Sequence, residues 1–487
     1  MLKTKAHLVD SSVLYSLDKD ELISIVLTLS QNMGELIDHV ATLDATIAAL
    51  EKNSTNSSKP PSSDMPSSGR NARDTSTPAS HQRNSRNASG RKSGGQPGHQ
   101  GNTRELVDNP DIVIACAPDF CGGCGKDFLT VGTRSTHIDE IIARSQVVDI
   151  PPIVPVVTEY QTVARTCACG HTTNGHVPPE ASCSGTVQIG TNASSLLVYL
   201  NSAHHLPYQR LQQVVADLFN LRLSQGSIAN KLEAAAIAAL PLRQVILDFL
   251  HRSPTVGSDE TGVKVAGARI WQWVWQNARA SYYAISPHRD YQTAKDHFGE
   301  YYAGCLIHDC YSAQNNTHAG WHQLCHAHLL RDLQFVIDTE QSNWAYHLQR
   351  FLVRSQRARD HIWTADFDPN LREHIIDDYY AQLAQFTAQQ LPGKEAKRLQ
   401  KRFKKHEDKI LYFMTTADIP PDNNGSERAI RNAKVKQKVS GGYRSNRGAE
   451  RQALLLSVIE TAKKQDLNVL EVIQQLVRGD SVQLFRG

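Results

Sequence analysis

Long apolar runs are missing from this 487-residue chain, and none reaches the ~18 residues that a membrane-spanning helix needs. The N-terminal stretch MLKTKAHLVDSS also lacks the apolar core and small-residue cleavage site of a secretory signal. We therefore expect a cytoplasmic protein without a membrane partner. Because cytosolic thiols stay reduced, the nine cysteines are not expected to form a disulfide framework. The net charge of only +3 excludes a uniformly basic surface.

Branched aliphatic and aromatic side chains are absent from Asn53 to Arg104, where no Val, Ile, Leu, Phe, Tyr or Trp occurs. Such a segment cannot bury enough apolar surface to offset the entropy of ordering, so residues 53–105 are predicted to be a disordered linker. Eight lysine and arginine residues stand against two aspartates in it. A solvated linker would serve with either sign of charge, and the basic excess favours non-specific contact with phosphates.

A heptad pattern precedes the linker. Leucines recur every seven residues, and mostly β-branched residues follow the first four of them by four positions: Leu22, Leu29, Leu36, Leu43 and Leu50, with Val26, Met33, Val40 and Ile47. This arrangement is typical of a parallel two-stranded coiled coil. The alternative is an amphipathic helix that packs on its own chain. Four heptads favour self-association through residues 1–52, and therefore at least a dimer.

Two closely spaced cysteine pairs characterise residues 106–185. Cys121 and Cys124 form one pair, Cys167 and Cys169 form the other, and each pair lies on a glycine-bearing turn beside a β-rich stretch. Four thiolates on two tight turns suit tetrahedral Zn²⁺, and four protein ligands leave no open position for catalysis. The sequence therefore predicts a small zinc-binding module in which the metal is structural.

Helical periodicity follows in residues 186–252. Apolar residues from Leu211 to Leu218 lead to a turn-like segment at Ser224–Ser227, and a second helix is predicted to start near Ile228. Two helices joined by a polar turn form the helix-turn-helix of many DNA-binding proteins. The same pattern is common in plain helical bundles, so both interpretations stay open.

The next segment changes to strands. Three consecutive strands are predicted after Pro254, with turns near Gly267 and Asn277, followed by a helix and an apolar strand that ends on Asp309. Three antiparallel strands, a helix and a strand open an α/β ribonuclease H-like fold, in which the first and fourth strands are neighbours. We therefore expect Asp259 in the first strand and Asp309 at the end of the fourth to face one metal ion.

A third carboxylate is expected on a later helix, and Glu427 supplies it near the start of NNGSERAIRNAKVKQK. A lone carboxylate among so many cations is ordinarily a surface salt bridge. Phosphodiester transfer, however, uses two Mg²⁺ (or Mn²⁺) ions about 3.5–4 Å apart, which a few carboxylates can hold. The cations nearby are expected to bind DNA phosphates: Arg428, Arg431, Lys434, Lys436, Lys438, Arg444 and Arg447.

Between Asp309 and Glu427 lie 117 residues, which is more than a simple crossover requires. The pattern predicts a helical insertion at about 330–420, including the basic stretch KEAKRLQKRFKKHEDK. Just before it, Cys325 and His328 are accessory candidates that bind a metal or orient the active-site strand. A packed cysteine and a solvated histidine are the alternative.

In these motifs the chain resembles the transposases of insertion sequence family 66. The matching blocks extend over nearly the whole chain: NSSKPPSSD, the paired cysteines, SDETG, HDCY, CHAHLLRDL, DNNGSERAIR and GGYRSNRGAE. The resemblance implies an acidic catalytic triad of Asp259, Asp309 and Glu427, and a Cys-x-x-His signature at Cys325 and His328. The second cysteine pair has one intervening residue, where two are also common, which leaves the zinc ligands open.

The resemblance also implies an activity and its partners. The expected activity is metal-dependent nicking of the ends of a bacterial insertion sequence, followed by attack of the freed 3′-OH on target DNA. Double-stranded DNA and accessory transposition proteins would be the partners, at the nucleoid. A structure-specific nuclease of the same fold and an inactive DNA-binding protein derived from a transposase are the rivals. The predicted organisation is a coiled coil (1–52), linker (53–105), zinc module (106–185), helical domain (186–252), ribonuclease H-like catalytic domain (253–440) and C-terminal helical region (441–487).

Overall fold

The computed structural model describes residues 18–50, 104–128, 140–178 and 187–485. Most of the predicted linker, with its NSSKPPSSD block, lies outside these described residues. The chain divides into two compact units, residues 67–154 in one and residues 1–66 and 155–487 in the other. Helices and sheets are mixed, as predicted, and the division falls inside the segment 106–185 that the cysteine pattern treats as one module.

Seven strands and thirteen α-helices are found in the described residues. The strands are β1 (Ala164–Thr166), β2 (Thr172–Asn174), β3 (Thr255–Val265), β4 (Ala268–Gln276), β5 (Ser281–Ser286), β6 (Tyr301–His308) and β7 (His318–Leu324). The helices are α1 (Lys19–Leu50), α2 (Thr191–Val198), α3 (Tyr208–Phe219), α4 (Gln225–Arg252), α5 (Tyr291–Phe298), α6 (Ser312–Asn315), α7 (His326–Glu340), α8 (Asn343–Ile362), α9 (Pro369–Ala388), α10 (Lys394–Lys405), α11 (Asn424–Ser440), α12 (Asn446–Lys464) and α13 (Val469–Arg478).

The heptad segment forms one continuous 32-residue helix, α1, as its pattern predicts. Its described seam side chains are all exposed, from 37% at Leu22 to 67% at Leu36. The side chains of Ile47 and Leu50 lie outside the description. A row of exposed leucine, valine and methionine side chains is unfavourable in water, which favours a second helix as its cover.

The central sheet contains β3 to β7 in the order β5-β4-β3-β6-β7. β3, β4 and β5 are antiparallel neighbours, whereas β6 runs parallel to both β3 and β7. The three predicted strands and their two turns are confirmed: Ala266 and Gly267 take positive φ values of 48° and 86°, and Asn277 Oδ1 accepts two backbone N–H groups. The predicted adjacency of the first and fourth strands is also confirmed.

One strand, β7, was not predicted. Its sequence HAGWHQL contains a glycine and two histidines, and only Gln323 and Leu324 are buried. Pairing with the apolar strand β6 stabilises it, and no local pattern reveals that partner. β7 extends the sheet and leads directly into the helical insertion.

One apolar core joins the helices of segment 186–252 to the sheet. Leu232 and Ile246 of α4 lie in the same cluster as Trp273 of β4 and Leu455 of α12. The segment therefore does not form a core of its own, although the sequence treats it as a separate helical domain. By length and composition alone α4 is long and apolar enough to cross a bilayer, but its buried face packs into this core.

The joint between α3 and α4 differs from the predicted turn. α3 ends at Phe219, Asn220 is left-handed with φ 48°, and α4 already begins at Gln225. The prediction of a turn at 224–227 is wrong, because Ser224 Oγ accepts the N–H of Ser227 at 3.0 Å and caps the helix there. The polar residues belong to the first turn of α4.

The segment predicted to be a helical insertion contains the helices α7 to α10. These helices form a second apolar cluster, which includes Leu333, Phe351 and Phe403. Two short 3₁₀ turns follow, Glu407–Lys409 and Tyr412–Met414. The chain then returns to the sheet as α11, where Ala429 and Ile430 pack against Val274 and Tyr283.

Candidate functional site

The register of β3 and β6 brings Asp259 and Asp309 together. Gly257 pairs with Ile307 in the last parallel step, Asp259 lies two residues further along β3, and Asp309 lies one residue beyond the end of β6. Neighbouring strands lie ~4.8 Å apart, and residues two apart on a strand share a face. The two aspartates therefore lie at the same end of neighbouring strands, close enough for the charge of Asp309 to act on Asp259. Asp309 Oδ1 also accepts the N–H of Tyr311 at 3.0 Å.

Glu427 joins these aspartates from the first turn of α11. Burial raises the pKa of Asp259 well above its usual range, and the charges of Glu260, Asp309 and Glu427 raise it further. Carboxylates that repel one another in this way are stabilised when a cation lies between them. Their hard oxygen atoms suit Mg²⁺ or Mn²⁺.

Asn423 holds the start of α11 against β3. Its side-chain N–H donates to the carbonyl of Ser258 at 2.7 Å, and its Oδ1 accepts the hydroxyl of Ser426 at 2.6 Å. Its backbone N–H donates to Cys325 Sγ at 3.1 Å. All four residues are buried. Asn423 therefore connects the strand of Asp259 with Cys325 and with the first turn of α11, which carries Glu427. Sequence reasoning missed this role.

Cys325 and His328 lie beside Glu427, and their potential ligand atoms all lie within 4.8 Å of one another. His328 Nδ1 is 3.7 Å from Glu427 Oε1, is buried and has no hydrogen-bond partner among the described residues. Burial lowers the pKa of His328, with Arg331 adding to the effect, which favours the neutral imidazole that binds metals. Burial raises the pKa of the Cys325 thiol to about 12.

Arg331 gives Glu427 a second partner, because its guanidinium lies 3.0 Å from Glu427 Oε1. The glutamate is 27% exposed, so this ion pair is partly screened by solvent. Glu427 thus combines the predicted position near Asp259 with the ion pair that was its alternative interpretation. The contacts of Glu427 fit both a metal ligand and the partner of Arg331 in an ion pair.

A cavity of about 180 Å³ opens beside Asp309, several times the ~30 Å³ that one water occupies in the liquid. Cys325, His328, Asp332 and Arg402 also line it. Asp332 and Arg402 form a short ion pair across the insertion. The cavity therefore places charged groups of both signs around the second aspartate.

Glu260 of β3 forms an ion pair with Arg289, which also lines the cavity beside Asp309. Glu260 accepts from Arg289 Nε at 2.6 Å and also from Gln314. The Arg289 guanidinium stacks 3.7 Å from the ring centroid of Tyr311, two residues after Asp309. Burial raises the pKa of Glu260 to about 7, and the charge of Asp309 contributes. This cluster supports the loop that carries Asp309.

The predicted phosphate-binding cations differ in accessibility. Those that are exposed are Arg428, Arg431, Lys438, Arg444 and Arg447. Arg447 pairs with Glu233 at 2.8 Å, and half-buried Lys434 donates to the carbonyl of Gly262 at 3.4 Å. Lys436 is only 8% exposed, and burial lowers its pKa to about 8. Lys436 is therefore too buried to contact DNA phosphates as the sequence predicted.

Both cysteine pairs lie on tight turns, each in its own compact unit. The N–H of Gly125 donates to the carbonyl of Cys121 at 2.8 Å, and the N–H of Gly170 donates to Cys167 at 2.9 Å. Both glycines have positive φ, 75° and 87°. Backbone hydrogen bonds, led by those from Cys124 and Cys169, lower the pKa of the Cys121 and Cys167 thiols. Thiolates stabilised in this way suit Zn²⁺.

Removing one thiolate from each turn tests the zinc site. We expect Cys121→Ala or Cys167→Ala to lower the bound zinc to well below one ion per chain, because a tetrahedral site needs all four ligands. The matched control is Cys310→Ala, a half-buried cysteine that lies far from both cysteine pairs in the sequence. Elemental analysis of wild type and variants, purified without chelator, measures the effect. A wild-type chain free of zinc would contradict the prediction.

The chain is similar in sequence to known proteins. The family described as Transposase IS66 family matches residues 186–451, more than half of the chain. Residues 16–105 match a family of unknown function, DUF6444. The uncharacterized protein y4hP of Sinorhizobium fredii (strain NBRC 101917 / NGR234) is 22% identical over 397 residues, which cover 73% of this chain and 69% of that protein. The chain therefore belongs to the IS66 transposase family.

Proposed function

We propose that the protein is an active DNA transposase whose catalytic domain is ribonuclease H-like. The observation that carries the proposal is the position of Asp259 and Asp309 at the same end of two neighbouring strands, with Glu427 in the first turn of α11 and the charges of Asp309 and Glu427 acting on Asp259. Together the three side chains would hold Mg²⁺ or Mn²⁺. When bound, the metal supplies activation of the attacking oxygen and stabilisation of the leaving oxygen.

The chain's own residues have separate tasks in this proposal. Asn423 and Cys325 orient α11, and the Glu260–Arg289 pair supports the Asp309 loop. The unpartnered Nδ1 of His328 supports a role as an additional ligand beside Glu427. The exposed cations of α11 and of the segment after it would hold the phosphates of the element end.

A strand-transfer assay tests the proposed reaction. The purified protein, supplied with Mg²⁺ or Mn²⁺, is incubated with a labelled duplex that carries the element end and with a supercoiled target. We expect nicked ends first and then covalently joined products. Cleavage that never leads to joined products would favour the rival nuclease, and neither reaction would favour the inactive DNA-binding protein.

The exposed seam of α1 supports self-association through a parallel coiled coil. Because no other sustained heptad seam occurs in the sequence, we expect deletion of residues 1–52 to lower the oligomeric state by at least half. Multi-angle light scattering of both proteins measures this. A control with Leu29→Lys and Leu36→Lys keeps the chain length and should give the same loss. Equal masses for all three proteins would show that the seam packs on its own chain.

The spacing of the cysteines in the sequence supports a structural zinc site held by Cys121, Cys124, Cys167 and Cys169. With all four thiolates bound to one ion, no coordination position would remain open, so the zinc would serve folding. Accessory transposition proteins and a location at the nucleoid in the cytoplasm are part of the same proposal. They follow from family membership together with the proposed action on duplex DNA.

A further inference from the structure

α10 presents a dense row of cations on the helical insertion. Its buried side chains, Ala396, Leu399 and Phe403, pack into the apolar cluster of the insertion. The exposed side chains are six cations: Lys394, Lys397, Arg398, Lys401, Lys404 and Lys405. The proposed triad, zinc site and coiled coil use none of them. The helix is therefore anchored by one face and displays positive charge on the other.

Ion pairing within the chain does not account for this row. Arg398 pairs with Glu395 at 3.3 Å, the one acidic residue of the helix. Within the described ranges, no ion pair involves Lys397, Lys401 or Lys405. These three lysines follow one another at intervals of four residues, where like charges are neighbours and repel. Such a row weakens the helix, and a polyanion on this face would relieve the repulsion.

The row is connected to the candidate active site through the remaining cation of α10. Arg402 forms a short ion pair with Asp332, and both residues line the cavity beside Asp309. The positive potential extends past the end of the helix, since burial and then the charges of Lys409 and Lys405 lower the pKa of His406. The cations of α10 therefore continue from Arg402 at the cavity along the helical insertion.

We infer that the exposed face of α10 binds the phosphate backbone of duplex DNA next to the scissile bond. The helix is about 18 Å long, and duplex DNA carries one charge per ~1.7 Å, so several phosphates lie within reach. Lysine ammonium groups on flexible stems contact phosphates without reading bases, so the binding is independent of sequence. The inference rests on the proposed function for the identity of its ligand.

The test compares the salt dependence of DNA binding in two charge-matched double variants of the full chain. Lys397→Gln with Lys401→Gln removes two cations of the row, whereas Lys463→Gln with Arg478→Gln removes two cations that pair with Glu460 and Asp480. Duplex affinity is measured by fluorescence anisotropy over a salt series, without added Mg²⁺ or Mn²⁺. Each phosphate contact contributes about −0.9 to the slope of log Kobs against log salt concentration. We therefore expect the slope of the α10 variant to be less steep than that of wild type by about 1.8, and the control to keep the wild-type slope.

The other outcomes are equally decisive. An unchanged slope in the α10 variant, or equal losses in both variants, would overturn the inference. A loss confined to single-stranded DNA would overturn the assignment to duplex. If the α10 variant binds normally while the wild type still carries out metal-dependent strand transfer, only the inference fails. If the wild type binds no DNA at all, the proposed function fails with it.

Discussion

Asp259→Asn, Asp309→Asn and Glu427→Gln are each expected to lower the rate of strand cleavage by at least about 100-fold, which is about 2.7 kcal/mol of transition-state stabilisation. Each substitution keeps the size of the side chain and removes a negative charge from the group that would hold the metal. DNA affinity should be unchanged or slightly higher, because the phosphate-binding cations remain. Single-turnover cleavage and an anisotropy titration measure the two effects separately.

Glu427→Gln is the most informative of these variants, since Arg331 offers the glutamate a purely structural role. A partly exposed ion pair contributes ~0–1 kcal/mol, so its loss alone would change the cleavage rate only slightly. The matched control is Glu300→Gln, an exposed carboxylate paired with Lys295 at 2.7 Å. The control should cleave like wild type. A residual rate within about tenfold of wild type for any triad variant would exclude that residue as an essential ligand.

Gly257→Ala is expected to lower both stability and activity, because α11 approaches β3 closely at this glycine. An added Cβ would lie 2.5 Å from Asn423 Oδ1 and 2.5 Å from Ser426 Oγ, which are buried and hydrogen-bonded to each other. Overpacking of this kind costs about 1–3 kcal/mol in the free energy of unfolding. Displacement of α11 would also carry Glu427 away from Asp259, so cleavage should fall even where the variant is fully folded.

The control for this prediction is Gly226→Ala. A Cβ there makes only an ordinary contact, 3.6 Å from Ser224 Oγ, in the first turn of α4. Alanine is the better helix former, so the control should be at least as stable as wild type. Thermal unfolding and cleavage are measured on both variants. If Gly257→Ala retains wild-type stability and cleavage, the close contact does not position Glu427.

The parts of the fold that follow from local sequence were predictable. Strand alternation and the turns at Gly267 and Asn277 define β3 to β5 within one stretch of chain, and the leucine repeat defines α1. The expectation that Asp259 and Asp309 lie close together needed only one further step, the adjacency of the first and fourth strands. Patterns that repeat within a few residues reveal elements, and topology then brings their ends together.

Contacts between distant segments could not be read in this way. The hydrogen bond from Asn423 to Ser258 joins residues 165 positions apart, and Glu260 meets Gln314 across 54 positions. Neither the edge strand β7 nor the burial of Lys436 has a local signature, since both depend on the elements packed against them. The burial of Asn423 and Ser426 in a polar DNNGSE block shows how polar residues near a site support it from inside.

Counting bound Mn²⁺ tests the central claim most directly. The free ion is measured by electron paramagnetic resonance during titration of the zinc-loaded wild type and of the Asp259→Asn, Asp309→Asn double variant. Because the carboxylates of Asp259, Asp309 and Glu427 are proposed to share the metal, we expect the wild type to bind at least one ion that the double variant does not bind. Equal numbers of ions bound with equal affinity by both proteins would contradict the proposed site.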